Sequence, residues 1–275
     1  MTGIGVAGGA ATIVNAFATG RGAAFGLGYV VRARVRPARA WSVRSGGRRL
    51  RPPQDALALI TARTMQRRLG TRGPLAISID SQIPPAKGLK SSSAVGVAVA
   101  RAVAAEAQAT LSLQALLEVV ADAGIASGTS LTGAFDDAAA CALGGVVLTD
   151  NDRRRIVQRS HLPPGLVALV STPLRSLATG SLRRAAFRPL ASLVDEAWAK
   201  ARRGAIAQAM LANTLAYAPA LGHLPRFTLE ALKAGAWAAG LSGKGPAEVA
   251  LVRAATSRRF RHLGGRLVPV GGAAS

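Results

Sequence analysis

The chain has 275 residues, 49% hydrophobic and only 4% aromatic, with a formal net charge of +22 at pH 7. That length allows one large domain or two ordinary ones, and the Ala- and Gly-rich composition points to a core packed from small side chains. The single cysteine, Cys141, excludes an internal disulfide framework and is expected in a reducing, cytoplasmic compartment, and His161, His223 and His262 show no metal-ligand spacing.

Residues 4–18 carry no charge. No basic segment precedes them, and Gly8-Gly9 and Asn15 interrupt the run, so mature protein rather than a targeting segment is expected. Nor does any apolar run reach the roughly 20 residues of a membrane span. Gly3-x-Gly5-x-x-Gly8 matches the dinucleotide fingerprint as a string but lacks the strand that must precede it. Residues 11–16 read as a short strand running into a Gly-rich loop at 19–22. Residues 29–36 alternate apolar and basic side chains, as a half-exposed strand does. Trp41-Ser42-Val43 begins another strand, and Ser45-Gly46-Gly47 is a turn.

From 54 to 69 apolar residues (Ala56, Leu57, Ile60, Leu69) recur at helical spacing, with Asp55 in the opening turn and Gly70 at the end. A strand over 75–80 feeds Ile83-Pro84-Pro85-Ala86-Lys87-Gly88-Leu89-Lys90-Ser91-Ser92-Ser93-Ala94. There the prolines and glycine shape a turn, and three serines open a nearly all-apolar helix over 94–109. A helix start offers unpaired N–H donors and a partial positive charge, which suit phosphate, and Lys87 and Lys90 add formal charge. Taken alone, the stretch serves equally as a serine-capped core helix. Ser112 caps a further helix through 121, a Gly/Ser/Thr loop covers 124–133, and a helix from Phe135 ends at Gly144-Gly145 before a strand over 146–149.

The polar run at 150–155 reads as a hinge and divides the chain into 1–152 and 153–275. Beyond it come a strand over 166–170, helices around 189–203, 204–216 and 227–239, a second Gly-rich turn at 240–246, and strands over 248–252 and near Leu267. This order fits a smaller α+β domain. Residues 1–150 hold 16 basic and 8 acidic side chains, and residues 151–275 hold 19 and 5. The charge is scattered in short groups, such as Arg48-Arg49-Arg51 and Arg258-Arg259-Arg261, without an aromatic-interleaved basic strand or zinc-finger spacing. A phosphorylated substrate or simple solubility accounts for it as well as nucleic acid does.

No Gly-x4-Gly-Lys-Ser/Thr is present, which excludes an ordinary P-loop kinase, and no Gly-x-Ser-x-Gly elbow supports a hydrolase. Pro85-x-x-Gly88-Leu89-Lys90-Ser91-Ser92-Ser93-Ala94 resembles the Pro-x3-Gly-Leu-Gly-Ser-Ser-Ala motif of the GHMP kinases, the superfamily of galactokinase, homoserine kinase, mevalonate kinase and phosphomevalonate kinase. Leu241-Ser242-Gly243-Lys244-Gly245-Pro246 resembles its C-terminal Gly-rich motif and Thr12-Ile13-Val14-Asn15 its N-terminal one. The three occur in the superfamily's order over nearly the whole chain. Within the superfamily, Gly88-Leu89-Lys90-Ser91-Ser92-Ser93 and Thr132-Gly133-Ala134-Phe135-Asp136-Asp137-Ala138 resemble the archaeal-type shikimate kinase. Lys90 stands where most of the superfamily has Gly. A lysine there can contact phosphate, while its backbone is expected to avoid conformations reserved for Gly.

The resemblance implies an α+β, two-domain GHMP kinase fold. Its N-terminal domain (1–152) would be ribosomal protein S5 domain 2-like and ATP-binding, its C-terminal domain (153–275) ferredoxin-like, with the substrates in the cleft between them. It implies a shikimate kinase that moves the γ-phosphate of ATP to the 3-hydroxyl of shikimate, a step of chorismate and aromatic amino-acid biosynthesis, with Mg²⁺. Pro85, Ala86, Lys87, Gly88, Leu89, Lys90, Ser91, Ser92, Ser93 and Ala94 are then expected around the nucleotide. The backbone N–H groups of 90–93 would lie on the phosphates and the Ser92 hydroxyl toward the metal.

Phosphoryl transfer needs positioning, charge neutralisation and an oriented hydroxyl. Asp136 and Asp137 are adjacent acids at a helix start, where they could also serve only as caps or dipole partners. The resemblance implies that one takes or orients the acceptor proton. It favours Asp136, with Asp137 in a supporting or metal role, although counting back from Gly144 allows Asp137 instead. The Mg²⁺-ligating glutamate of mevalonate kinase has no counterpart near Ile125-Ala126, which leaves Glu118 or Asp122 as substitutes. Asn15, Thr129, Thr132, Ser242, Gly243, Lys244 and Gly245 are expected to contact substrate, and Arg21 or Arg175 its carboxylate. The expected partners are ATP and shikimate, without nucleic acid or membrane. The alternatives are another GHMP activity, on homoserine or mevalonate, and, from another class, a basic nucleic-acid-binding protein.

Overall fold

A computed structural model describes residues 1–85, 87–173 and 183–271. The first part of the chain runs β1 (Gly3–Val14), β2 (Arg21–Pro37), β3 (Ser42–Ser45), β4 (Arg48–Arg49), α1 (Ala56–Leu69), β5 (Leu75–Ser81), α2 (Ser91–Glu106), α3 (Leu113–Ala126), α4 (Phe135–Leu143), β6 (Val146–Asp150) and β7 (Arg155–Ser160). The second runs β8 (Leu166–Ser171), α5 (Ala191–Arg202), α6 (Ile206–Ala220), α7 (Arg226–Lys233), β9 (Ala238–Leu241), β10 (Glu248–Arg253) and β11 (Arg266–Pro269), with 3-10 turns at Arg184–Leu190 and Ala254–Leu263.

The long strand β2 organises a seven-stranded sheet. β1 pairs antiparallel along one edge, while β6 takes the first half of the other edge and β5 the second half. β3 lies parallel to β5, β4 closes that side, and β7 closes the other. The glycines of β1 have a packing cause. A Cβ on Gly3 would sit 2.0 Å from the Ala102 carbonyl oxygen, and one on Gly5 would sit 2.1 Å from that of Ala98. Helix α2 therefore rests directly on β1, and the Gly3-x-Gly5-x-x-Gly8 string is a strand shaped for a helix rather than a dinucleotide loop. The strand begins eight residues before position 11, and β2 likewise begins at Arg21, inside the stretch expected to be loop.

The second sheet is antiparallel in the order β11–β8–β10–β9. Counted from β8, that is the 4-1-3-2 order of a ferredoxin-like sheet, as the resemblance implies. Residues 234–239 do not extend α7, because Ala238–Leu241 pairs with β10. The polar run at 150–155 is the turn of the β6–β7 hairpin, with Arg154 at φ 51°. The first sheet thus continues past residue 152, and the chain changes sheet between Ser160 and Leu166 rather than at 152/153. A β-bridge between Leu27 and Val270 joins the parts, and one hydrophobic core runs through both. Among the described residues no helix is long and apolar enough to cross a membrane.

Candidate active site

Helix α2 begins at the serines, with Lys90 as its N-cap in the left-handed region (φ 62°, ψ 29°). The expectation that this lysine avoids a glycine-like backbone is therefore corrected: Lys90 adopts the conformation that glycine would otherwise supply. Its own side chain anchors it there, being 7% exposed and paired with Asp137. The first bond of the helix runs from the Ala94 N–H to the Lys90 carbonyl (2.9 Å). The N–H groups of Ser91, Ser92 and Ser93 precede it and have no intrahelical acceptor. Of the three side chains Ser92 is the exposed one and Ser93 is nearly buried.

Two distant stretches close on this helix start. Gly88 lies so near the 242–245 turn that a Cβ on it would meet the Ser242 carbonyl oxygen at 2.3 Å. The Ser242 hydroxyl donates to the Gly88 carbonyl (2.8 Å), and the Ala247 N–H donates to that of Lys87 (3.0 Å). From β1, the Thr12 hydroxyl accepts from the Gly243 N–H (2.8 Å), and the Asn15 side-chain amide donates to the Gly243 carbonyl (2.9 Å). Asn15 is fixed in turn: its N–H donates to Asn213 Oδ1 (2.8 Å), and the Tyr217 hydroxyl donates to its carbonyl (3.2 Å). Stretches about 75 and 150 residues apart in sequence thus form one hydrogen-bonded unit.

Helix α4 brings in the carboxylates. Asp136 is 4% exposed. Its Oδ1 accepts from the Asn151 amide (2.8 Å), which also donates to the Thr132 hydroxyl (3.3 Å), while Asn151 Oδ1 accepts from the Thr149 hydroxyl (2.7 Å). A Cβ on Gly22 would lie 2.5 Å from the Asp136 carboxyl, so β2 presses that side chain into place. Asp137 pairs instead with Lys90, Nζ to Oδ1 at 3.0 Å, with both side chains largely buried. Burial raises the Asp137 carboxyl to about 7, the Lys90 ammonium opposing the rise and the Asp136 charge adding to it. Burial also lowers the Lys244 ammonium to about 8, helped by the charge of Lys90.

These groups surround a cleft of about 300 Å³. Asn15, Lys87, Gly88, Lys90, Ser91, Ser92, Ser93, Thr129, Thr132, Asp136, Asp137, Gly243 and Lys244 line it, as the sequence leads one to expect. Leu89, Ala94 and Ser242 stand behind the wall as buried supports. Pro85 and Gly245 shape the turns without lining the cleft, and Ala86 and Arg175 lie outside the described residues. Arg21 is not in the cleft: it pairs with Asp195 (3.3 Å) and stacks on Trp198. Glu118 and Asp122 also face away, toward Arg68 and Arg154, so neither supplies a metal ligand here.

Asn151, Asn213 and Tyr217 are supports that the sequence did not disclose. Asn151 lay in the polar run taken for a hinge, and the other two sit on α6, whose Ala-rich surroundings carry no motif. Among the described residues no three His, Cys, Asp or Glu side chains are grouped to hold a metal by themselves.

Residues 56–145 match the family model described as the GHMP kinases N terminal domain. The shikimate kinase of Methanothermobacter thermautotrophicus is 37% identical over 250 residues, covering 88% of this chain and 84% of its own. That of Pyrococcus furiosus is 34% identical, covering 91% and 92%. Among solved structures, homoserine kinase from Cytophaga hutchinsonii aligns over 98% of this chain and 95% of its own with a TM-score of 0.72 at 19% identity. Methanococcus jannaschii mevalonate kinase aligns over 99% and 98% with a TM-score of 0.74 at 13% identity. The structural likenesses speak to the fold, the sequence likenesses to descent.

Proposed function

Because the chain belongs to the GHMP kinases, in their shikimate kinase branch, we propose that its cleft transfers the γ-phosphoryl group of ATP to the 3-hydroxyl of shikimate. The chain is an ATP-dependent small-molecule kinase. The observation that carries the site assignment is the meeting of two helix starts, α2 with its exposed N–H donors and α4 with its carboxylates, bridged by the Lys90–Asp137 pair.

In this reading the N–H groups of Ser91 to Ser93 hold the nucleotide phosphates at the positive end of α2. Lys90 and Lys244 offset the charge of the group in transit. The acceptor hydroxyl gives its proton to a carboxylate as its oxygen attacks the γ-phosphorus, and the bond to ADP breaks. Asp137 is the better candidate for that carboxylate, because it is the more exposed of the two and titrates near neutrality, where a base works best. Asp136, clamped by Asn151 and pressed by Gly22, orients its neighbour and the acceptor. This reverses the order of preference that the sequence suggested.

A magnesium ion fits the donor set. Such ions usually keep several waters and take one or two protein oxygens besides the phosphates. Ser92 Oγ and one carboxylate oxygen of Asp136 would supply those oxygens, leaving Asp137 to the proton. The ion, when bound, offsets phosphate charge.

ADP release coupled to a recorder enzyme, with shikimate, homoserine and mevalonate offered in turn, tests the reading. Turnover with shikimate is expected, and turnover only with another acceptor would refute it.

A further inference from the structure

Half of the net charge lies in a short part of the chain. Between residues 32 and 72 there are twelve arginines and one acid, Asp55. The fold explains what this segment does with them. On β2 the buried side chains are Val31, Ala33 and Val35, none measurably exposed, while Arg32, Arg34 and Arg36 point the other way into solvent. Strand pairing sets further arginines beside them. One register row crosses five strands as Ile4, Arg34, Ser78, Arg44 and Arg49. The flanking rows are Val6–Arg32–Asp80 and Arg36–Ala76–Ser42.

Five exposed arginines therefore share the open face of the sheet with one carboxylate, Asp80, which takes a hydrogen bond from Arg34 (2.8 Å). This face lies opposite the one that packs on the helices, and none of its arginines lines the kinase cleft. The scatter seen along the sequence is undone by the register, which gathers residues 32, 34, 36, 44 and 49 into one patch.

We infer that this sheet face binds the phosphate backbone of nucleic acid without regard to sequence. Three features favour that occupant over an acidic protein. The positive groups are all guanidinium forks, which match phosphate oxygens bidentately. Alternate positions on one strand repeat at about 6.6–6.8 Å, and the neighbouring strands continue the lattice at about 4.8 Å, so charge is presented in regular rows. The spaces between are filled by Ser42, Ala76 and Ser78, so the centre of the face lacks the apolar and aromatic anchors around which protein interfaces are built. The same lack of aromatic side chains on the rows leaves no platform for stacking bases, so contact is confined to the backbone.

The test is anisotropy of a short labelled duplex of mixed sequence, titrated with the full chain at several salt concentrations. With five phosphate contacts the affinity should fall by about 500-fold between about 50 and about 200 mM salt. The variant Arg32→Ser/Arg36→Ser/Arg44→Ser keeps two contacts and should show a fall of only about 12-fold. Its kinase turnover and thermal midpoint should match the parent, which shows that it folds.

A second variant, Arg258→Ser/Arg259→Ser/Arg261→Ser, removes equal charge from the exposed 3-10 turn at Ala254–Leu263 and should keep the parental salt slope. Absence of duplex binding by the parent chain overturns the inference. So does an unchanged slope in the first variant, or an equal loss in the second. Polyglutamate that displaces the duplex at lower concentration than unlabelled duplex does would assign the face to an acidic protein instead.

Discussion

Replacing Asp137 by Asn separates the two carboxylates more sharply than any other change. The Asp137 carboxyl sits near 7 because burial and Asp136 push it up while Lys90 holds it down. Only the ionised form can accept a proton, so turnover should decline as pH falls through about 7. A single titration leaves roughly a tenth of the base ionised one unit below that point and about nine-tenths one unit above it. A positioned proton acceptor contributes about 10² to 10⁴ in rate, or about 3–5 kcal/mol of barrier. Asparagine fills nearly the same volume but accepts no proton under these conditions. We therefore expect kcat of Asp137→Asn to fall by that factor, nucleotide affinity to hold within about threefold, and the acid limb of the pH–rate profile to vanish.

Lys90→Met supplies the sign test. It removes the charge that opposes burial, so the acid limb of kcat/KM should move to higher pH. Steady-state kinetics from pH 5 to 9 (roughly the range around the expected titration), with nucleotide binding measured separately, decide the matter. An Asp137→Asn enzyme within about tenfold of the parental rate, or one that keeps its acid limb, refutes the assignment. If Asp136→Asn alone abolishes turnover, the proton goes to Asp136.

Gly5→Ala should destabilise the whole fold, because its Cβ would lie 2.1 Å from the Ala98 carbonyl and α2 would have to lift from β1. Urea unfolding should show a loss of about 1–3 kcal/mol or more, the usual range for overpacking. Ser242→Ala removes the hydroxyl that donates to Gly88 and accepts from the Thr12 N–H. It should cost about 1–3 kcal/mol for the polar groups left without a partner. Since Gly88 begins the turn proposed to hold phosphate, KM for ATP should rise more than KM for shikimate. Equal changes in both would show that the turn serves general stability only.

The elements legible in the sequence were those with strong periodicity or a chemical marker. Ser112 does cap α3, its hydroxyl accepting the Ala115 N–H at 3.2 Å, and α1 ends at Gly70 in the left-handed region. The first half of β1 was not legible, because its glycines answer to α2, nearly a hundred residues away, and weaken the local strand signal. Strand β9 was hidden by Ala236, Ala238 and Ala239, which favour helix by propensity while the pairing with β10 decides otherwise. The motif residues gather at one cleft, but the supports behind them were not legible. Asn151 acts through Asp136 and Thr132, and Tyr217 and Asn213 act through the backbone of Asn15. Such residues bear no spacing relation to what they hold, so only the folded chain assembles them.

The choice of cation gives the site a signature that charge alone does not. Thirty of the 35 basic residues are arginine, yet the cations lining the cleft among the described residues are Lys87, Lys90 and Lys244, three of the five lysines. The open sheet face presents arginine, whose planar fork suits a phosphate that stays in place. A cleft that must pass a phosphoryl group between two oxygens needs a compact charge that can shift between partners, and an ammonium does this where a planar fork fixes its geometry. Lys90 meets the requirement physically: its Nζ reaches Asp137 at 3.0 Å and lies close enough to Gly243 that a Cβ there would stand 3.1 Å away. In the proposed reading, one side chain rooted at the start of α2 serves both the Asp137 carboxylate and a phosphate held at that helix start. A side chain at 243 would crowd the Lys90 nitrogen, and the φ of 61° there suits glycine as well. The glycine at 243 and the lysine at 90 are for that reason a single feature of the cleft, written 153 residues apart.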